Sequence, residues 1–289
     1  MNKKNRSPKV IVTTVNFNLE EDTIKCVNSL LRQDYKNYEI VVVDNGSERE
    51  SYERLRSKFK NIKFLRNEEN LGFTGGYNTG IRYAKNAGAR YVLIINNDTL
   101  ADKNYISELV KVAVTDKKIG IVGCKALFMG ERDKIQTAGI LFDEKAVFYL
   151  DRGLGEKDNG QYDKAEEMIV SGVSMLINLS MPGELIYFDD SLKFYYEDVD
   201  ICERVRRAGY KIMYNPKAVL EHRFSATANK VSGLKAYYGW RNHLRVIRKY
   251  HSFSTYLITL VKAWLRGVKF LFSFDKVLIS NYFKALLTA

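Results

Sequence analysis

Tyr195-Tyr196-Glu197-Asp198-Val199-Asp200 places three acids within four residues, directly after two aromatics. Acids at the start of a helix suit its positive dipole end, and Asp200 needs no other reading. Glu197 and Asp198 follow an apolar, aromatic stretch, where a carboxylate within hydrogen-bond reach could take a proton from a sugar hydroxyl. They are the candidate catalytic pair. Asp98 ends the cluster Asn96-Asn97-Asp98, directly after the apolar run YVLII. A carboxylate on so rigid an edge suits a hard cation, Mg²⁺ or Mn²⁺, which takes one or two carboxylates plus substrate phosphates. His222, one of three histidines, could complete that site or be purely structural. The stretch from Asn70 through Gly72 and Gly76 to Asn78 is a Gly-rich loop opening a helix, with backbone N–H groups suited to an anion or a close-packed sugar. It lacks the Gly-Lys-Ser/Thr of a nucleotide-triphosphate loop and does not follow the first strand as a dinucleotide fingerprint would.

These groups need a frame. Residues 9–15 and 39–44 read as buried strands, 62–65 as a short one, and 91–95 and 119–124 as two more. Helical spacing falls between them, at 20–33, 48–59, 76–86 and 102–115. Such alternation predicts a parallel sheet with helices on both faces, and ligands in such sheets bind beyond the strands' carboxyl ends. Thr14 and Asn16, Asp44 and Asn45, and Asn96 to Asp98 all end strands, so one rim collects them. Asn and Asp also cap helices and start turns, which is the plainer reading of each cluster alone. Residues 125–163 read as loop-rich, 168–178 as a strand and 198–208 as a helix, with a turn at Pro216.

Together the motifs resemble the family 2 inverting glycosyltransferases of the GT-A fold, over residues 9–223. Val43-Asp44-Asn45-Gly46-Ser47 is similar to the family's nucleotide-base segment. The Asn70–Asn78 loop resembles that of the rhamnosyltransferase-like branch, and Asn97-Asp98-Thr99 stands at the DxD metal motif with only the last acid kept. Glu197-Asp198 matches the ED motif, and Arg204, Gly209-Tyr210, Pro216 and His222 follow in the family's order. The resemblance implies a GT-A-like α/β fold (a Rossmann-like, mostly parallel sheet flanked by helices) with a C-terminal helical extension. It implies that Asp44 reads the base, that Thr14, Asn16, Asn45, Asn70, Gly72, Gly76, Asn78 and Asn97 line the donor site, and that Asp98 and His222 bind a divalent metal. Asp198, beside Glu197, would be the base. The donor implied is dTDP-L-rhamnose, with a UDP-hexose next. The acceptor would be a glycan or lipid-linked glycan in a bacterial or archaeal surface polysaccharide.

The expected organisation is a donor-binding half over 1–125, an acceptor-side and catalytic half over 126–228, and a basic, aromatic extension over 229–289. From Lys230 onward eleven Lys and Arg face one acid, Asp275, so that stretch carries +10 of the net +12. Its longest uncharged run, 252–261, is half the ~20 apolar residues that span a bilayer. Apolar positions from Leu257 to Phe272 alternate with Lys262, Arg266 and Lys269. That pattern suits a membrane interface, the chain's own domain, or a partner subunit in a homo-oligomer. Three scattered cysteines and a polar first stretch predict a cytoplasmic protein, peripheral on the membrane's inner face if the tail binds lipid. The rival reading is a nucleic-acid-binding protein using the tail. Against it, the charge avoids the α/β half and no RNA- or DNA-binding motif occurs, so no nucleic-acid partner is expected.

Overall fold

The computed structural model describes residues 7–223, 233–270 and 276–289. The first half runs β1 (Val10–Asn16), α1 (Glu20–Leu30), β2 (Tyr38–Asn45), α2 (Arg49–Lys58), β3 (Lys63–Asn67), α3 (Gly72–Asn86), β4 (Tyr91–Ile95), β5 (Thr99–Ala101), α4 (Tyr105–Ala113) and β6 (Ile119–Phe128). Then come β7 (Glu131–Thr137), the hairpin β8 (Ile140–Asp143) and β9 (Phe148–Asp151), β10 (Glu166–Glu167), β11 (Ser174–Asn178), the single turn α5 (Gly183–Ile186), α6 (Glu197–Arg207) and β12 (Lys211–His222). Three helices close the chain: α7 (Leu234–Tyr250), α8 (Phe253–Phe270) and α9 (Lys276–Leu287).

The main sheet has the order β10-β12-β6-β11-β4-β1-β2-β3, with β5 added to β12 and β7 to β6. Strands β4, β1, β2 and β3 are parallel neighbours, as are β6 and β12, while β11 enters antiparallel between β4 and β6. This is the expected GT-A-like architecture. Burial on both faces explains the apolar runs. In β4, Val92 and Ile94 join the core under α3 and α6, while Tyr91, Leu93 and Ile95 join the core under α1 and α4.

Several boundaries differ from the sequence reading, each for a physical reason. Helix α1 stops at Leu30, because the buried Gln33 side chain instead caps α4, donating to Asp102 O at 2.8 Å and accepting Ile106 N–H at 3.0 Å. The short β-like runs mixed with Gly and charge over residues 125–163 are the end of β6 and three further strands, joined by turns. Lys125, whose buried ammonium sits between Asp158 and Asp163, reads as a solvent residue in sequence and conceals the continuation of β6 past Cys124. Pro216 lies inside β12, at a register break between Asn215 and Val219, where a bulge tolerates a residue without an N–H. The strand expected over 168–178 is regular only from Ser174.

Helix α3 lies close against β1 because Gly80 faces Thr13; a Cβ there would come within 2.1 Å of Thr13 Cγ2. Thr13 is fully buried and has no room to yield. Gly80→Ala is therefore expected to lower unfolding stability by about 1–3 kcal/mol, read from urea midpoints at unchanged slope. An unchanged midpoint would mean that α3 and β1 slide apart freely.

Candidate active site

A cavity of about 630 Å³ opens at the carboxyl ends of β1, β2 and β4. Across it, β12 delivers His222 to Asp98: the antiparallel pairing of His222 with Thr99 puts the imidazole Nε2 3.1 Å from Asp98 Oδ1. Both residues are buried. The other ring nitrogen, Nδ1, lies 2.8 Å from Gln136 Oε1. With Nδ1–H donating to that oxygen, the Nε2 lone pair faces a carboxylate, and only a proton or a cation between them makes the contact favourable. Asn96 Nδ2 approaches Nε2 at 3.4 Å. Among the described residues no group of three or more His, Cys, Asp or Glu forms a metal cluster, so further ligands would have to come from substrate or water.

Glu197 and Asp198 open α6 and line the same cavity. Asp198 Oδ2 accepts the N–H of Gly172 at 2.9 Å, and Oδ1 accepts the N–H of Val199 at 2.8 Å. Burial lifts the Asp198 carboxyl above the ordinary aspartate range, and these N–H groups hold back part of that rise. Glu197 has less help. Burial, then the neighbouring Asp198, pushes its carboxyl well above the ordinary range, and Oε2 has no hydrogen-bond partner. Of the two, Asp198 has the hydrogen bonds that favour its charged form, and Glu197 is the one pushed further toward staying protonated. The approach to α6 is strained: Lys193, Tyr195 and Tyr196 have φ of 59°, 65° and 67°. Each costs on the order of 1–3 kcal/mol for a residue with a side chain.

On the other side, Asn45 fastens the Gly-rich loop to β2. Its Nδ2 donates to Asn70 Oδ1 and Gly72 O, both at 3.0 Å, and its Oδ1 accepts from Asn67 Nδ2 and Leu71 N–H. Gly72 has φ +76° against the Lys193 backbone, where a side chain would be strained. Asn45, Asn70, Gly72, Asn97, Asp98, Glu197, Asp198 and His222 all line the cavity.

Thr14, Asn16, Asp44, Gly76 and Asn78 do not line it. Thr14 is wholly buried in β1. Asn16 donates to Asp44 and Ser47 and accepts from Thr23. The buried Asp44 carboxylate is also engaged by Ser47 N–H at 3.3 Å and by Arg66 at 3.7 Å. Gly76 lets α3 approach Val15. Asn78 exchanges hydrogen bonds with the Phe188 backbone and donates to Asp190. These five hold the rim in shape from behind.

Gln136, Thr137, Asp151, Lys193 and Tyr238 also line the cavity and were not read from the sequence. Gln136 and Thr137 end β7 and Asp151 ends β9, in the region taken as loop. Their only signal was polarity at the close of short apolar alternations. Burial raises the Asp151 carboxyl to about 6, with Asp198 adding to the rise and Thr137 opposing it. The folded chain then keeps this proton over a window in which an unfolded aspartate, with a pKa near ~4, has lost it. Because the folded state binds more protons there, stability falls as pH rises from about 4 to 6. Asp151→Asn is expected to flatten that fall and to be more stable by ~1–3 kcal/mol at pH 8 in EDTA. A decline of unchanged slope in denaturant titrations would reject the buried-acid assignment.

The comparisons fit this geometry. The chain is 28% identical over 203 residues to the low-salt glycan biosynthesis hexosyltransferase Agl10 of Haloferax volcanii, covering 67% of this chain and 64% of that one. Other curated relatives are much longer, and the chain spans 15–24% of three of them. Among solved structures, GalNAc-T7 with UDP, GalNAc and Mn²⁺ aligns at TM-score 0.67 and 17% identity, over 85% of this chain and 48% of that one. The mannosyltransferase PcManGT of Pyrobaculum calidifontis, with GDP-Man and Mn²⁺, aligns at TM-score 0.61 and 14% identity, over 98% and 87%. At such identities the structures speak for the fold alone. The Glycosyl transferase family 2 model matches residues 9–179, more than half of the sequence, and the chain belongs to that family.

Proposed function

We propose that this protein is a divalent-metal-dependent, inverting hexosyltransferase that moves a sugar from a nucleoside-diphosphate donor to a glycan or lipid-linked glycan hydroxyl. The observation that carries the reading is one cavity lined both by the Asp98–His222 pair and by the Asp198 carboxylate. A carboxylate and an imidazole aimed at one point fit a cation, and the mixed oxygen and nitrogen set favours Mn²⁺ over Mg²⁺. Bound there, the metal would offset charge on the departing diphosphate. The residues of the chain do the rest. Asn45 and Asn70 hold the loop against which the donor lies, and Asn97 adds an amide at its edge. Asp198, whose charged form the Gly172 and Val199 N–H groups favour, takes the acceptor's proton as its oxygen attacks the anomeric carbon. Glu197, held protonated, is unsuited to form a covalent sugar ester, and a single displacement inverts the centre.

The donor proposed first is dTDP-L-rhamnose, with a UDP-hexose second, on the resemblance of the Asn70–Asn78 loop. Residues 1–125 would serve the donor and 126–228 the acceptor and the base. The boundary at 228 lies outside the described residues. In thermal-shift measurements, dTDP or UDP species with Mn²⁺ should raise the melting midpoint, and Asp98→Ala should abolish the rise. Asp198→Asn should keep it while kcat falls ~10²–10⁴-fold. No rise with any nucleotide sugar would sink this reading.

We further propose that α8 seats the enzyme on the anionic inner face of the membrane, in surface-polysaccharide assembly. Helix α8 packs Ala263 and Leu260 against Leu244, Tyr282 and Leu286 of its neighbours. Its far side leaves Phe253, Leu257, Ile258, Val261, Trp264, Leu265 and Val268 exposed. At about 100° per residue these fall on one arc of roughly 140°, with Lys262 and Arg266 along one edge. No helix among the described residues is long and apolar enough to cross a membrane. The protein should float with phosphatidylglycerol vesicles at low salt but not with phosphatidylcholine, and Val261→Asp with Leu265→Asp should release it. A dimer in light scattering that the same pair of substitutions dissolves would instead give this face to a second copy.

A further inference from the structure

Arg241 and Asn242 sit in α7, in the part of the chain beyond the family match, yet they reach the turn that leads into α6. Asn242 is fully buried. Its Nδ2 donates to the carbonyls of Leu192, Phe194 and Tyr195 at 2.9, 2.8 and 3.0 Å. Arg241 donates through Nη2 to Ser191 O at 2.7 Å and to Leu192 O at 3.3 Å. Its Nε donates to Asn242 Oδ1 at 2.9 Å, which turns the amide so that its N–H groups face the carbonyls. The guanidinium in turn lies over the rings of Tyr237 and Tyr238. The remaining carbonyl, that of Lys193, accepts the N–H groups of Phe73 at 2.9 Å and Thr74 at 3.3 Å, at the start of α3. Every carbonyl from Ser191 to Tyr195 therefore has a donor on another element. This is the segment that carries left-handed backbone at Lys193 and Tyr195 and delivers Tyr196, also left-handed, to the start of α6.

We propose that Asn242, oriented by Arg241, is a positioning residue for Asp198, holding the strained turn that sets where the base carboxylate stands. The assignment rests on the reading of Asp198 as the base. The turn's own sequence disfavours its conformation, since a lysine and two tyrosines occupy backbone that glycine adopts freely. Relaxation of that turn swings the start of α6 and moves both acids, while His222 at the end of β12 and Asp98 in the turn before β5 stay in place. The clamp thus acts chiefly on the rate of transfer, and reaches the donor side only through the one carbonyl of Lys193.

The test uses the full chain with the nucleotide sugar that gives the largest thermal shift. Asn242→Ala is expected to keep the circular dichroism of the fold and to bind donor within about 3-fold of wild type. Its kcat should fall at least ~30-fold, as expected for a base displaced by about an ångström. Lys193→Gly added to Asn242→Ala should regain several-fold of the lost kcat, because glycine takes φ +59° without a side-chain penalty. Should the alanine variant not fold, Asn242→Ser, which keeps one donor, takes its place with an intermediate loss. Wild-type kcat in Asn242→Ala, loss of donor affinity in step with kcat, or no recovery from the glycine would each overturn the proposal. Hydrogen exchange separates this failure from failure of the transferase reading. Faster exchange at the amides of Phe73, Thr74 and Val199 in Asn242→Ala, with β4 unchanged, supports the clamp whatever the donor; unchanged exchange at those amides rejects it.

Discussion

A carboxylate withdrawn from water stays charged only where N–H groups face it, and the placement of Asp198 follows from that requirement. Its two oxygens take the N–H groups of Gly172 and Val199, one from the bend before β11 and one from the first turn of α6. For both to reach it, α6 must begin at one spot, and the chain gets there through backbone that its own residues resist. The cost of that path is spread over the neighbours: α3 supplies N–H groups to Lys193, and α7 supplies side chains to the carbonyls around it. The closing helices are therefore tied to the chemistry and are not appended to it.

The two walls of the cavity solve opposite electrostatic problems. Around Asp198 the protein provides hydrogen bonds and keeps the neighbouring Glu197 uncharged, so that two adjacent acids need not both ionise. At Asp98 and His222 it does the reverse, aiming a negative and a lone-pair group at each other at 3.1 Å and relying on what comes between. Gln136 matters here because it fixes which imidazole nitrogen carries the proton. The pairing of β5 with β12 brings them together: His222 ends β12, and Asp98 stands in the short turn directly before β5.

The sequence made the sheet legible where strands are buried on both faces, because uninterrupted runs such as YVLII leave few alternatives. Strand ends were legible for the same reason: polar residues directly after such runs must lie on the rim. What could not be read was which polar residues at that rim face inward to the cavity and which face the protein. Asp44 and Asn97 look alike in sequence, but only Asn97 lines the cavity, since Arg66, Ser47 and Asn16 close over Asp44. Asp151 and Gln136 were missed because short strands bearing charges do not differ from loops in composition. Asn242 could not be placed at all, as its three acceptors are backbone atoms some fifty residues away, and backbone carbonyls leave no trace in a sequence.

The carbonyl of Lys193 is shared between two tasks: it ends the base turn and it caps the first N–H groups of α3, in the loop that faces the donor. A shared hydrogen-bond acceptor is a thermodynamic linkage. Ordering of the α3 start by an arriving ligand stiffens the base turn, and seating of an acceptor against that turn stiffens the α3 start by an equal free energy. Under the proposed function, two substrates held on either side of that oxygen would favour each other's binding without touching, and because the coupling is equal in both directions it sets no order between them.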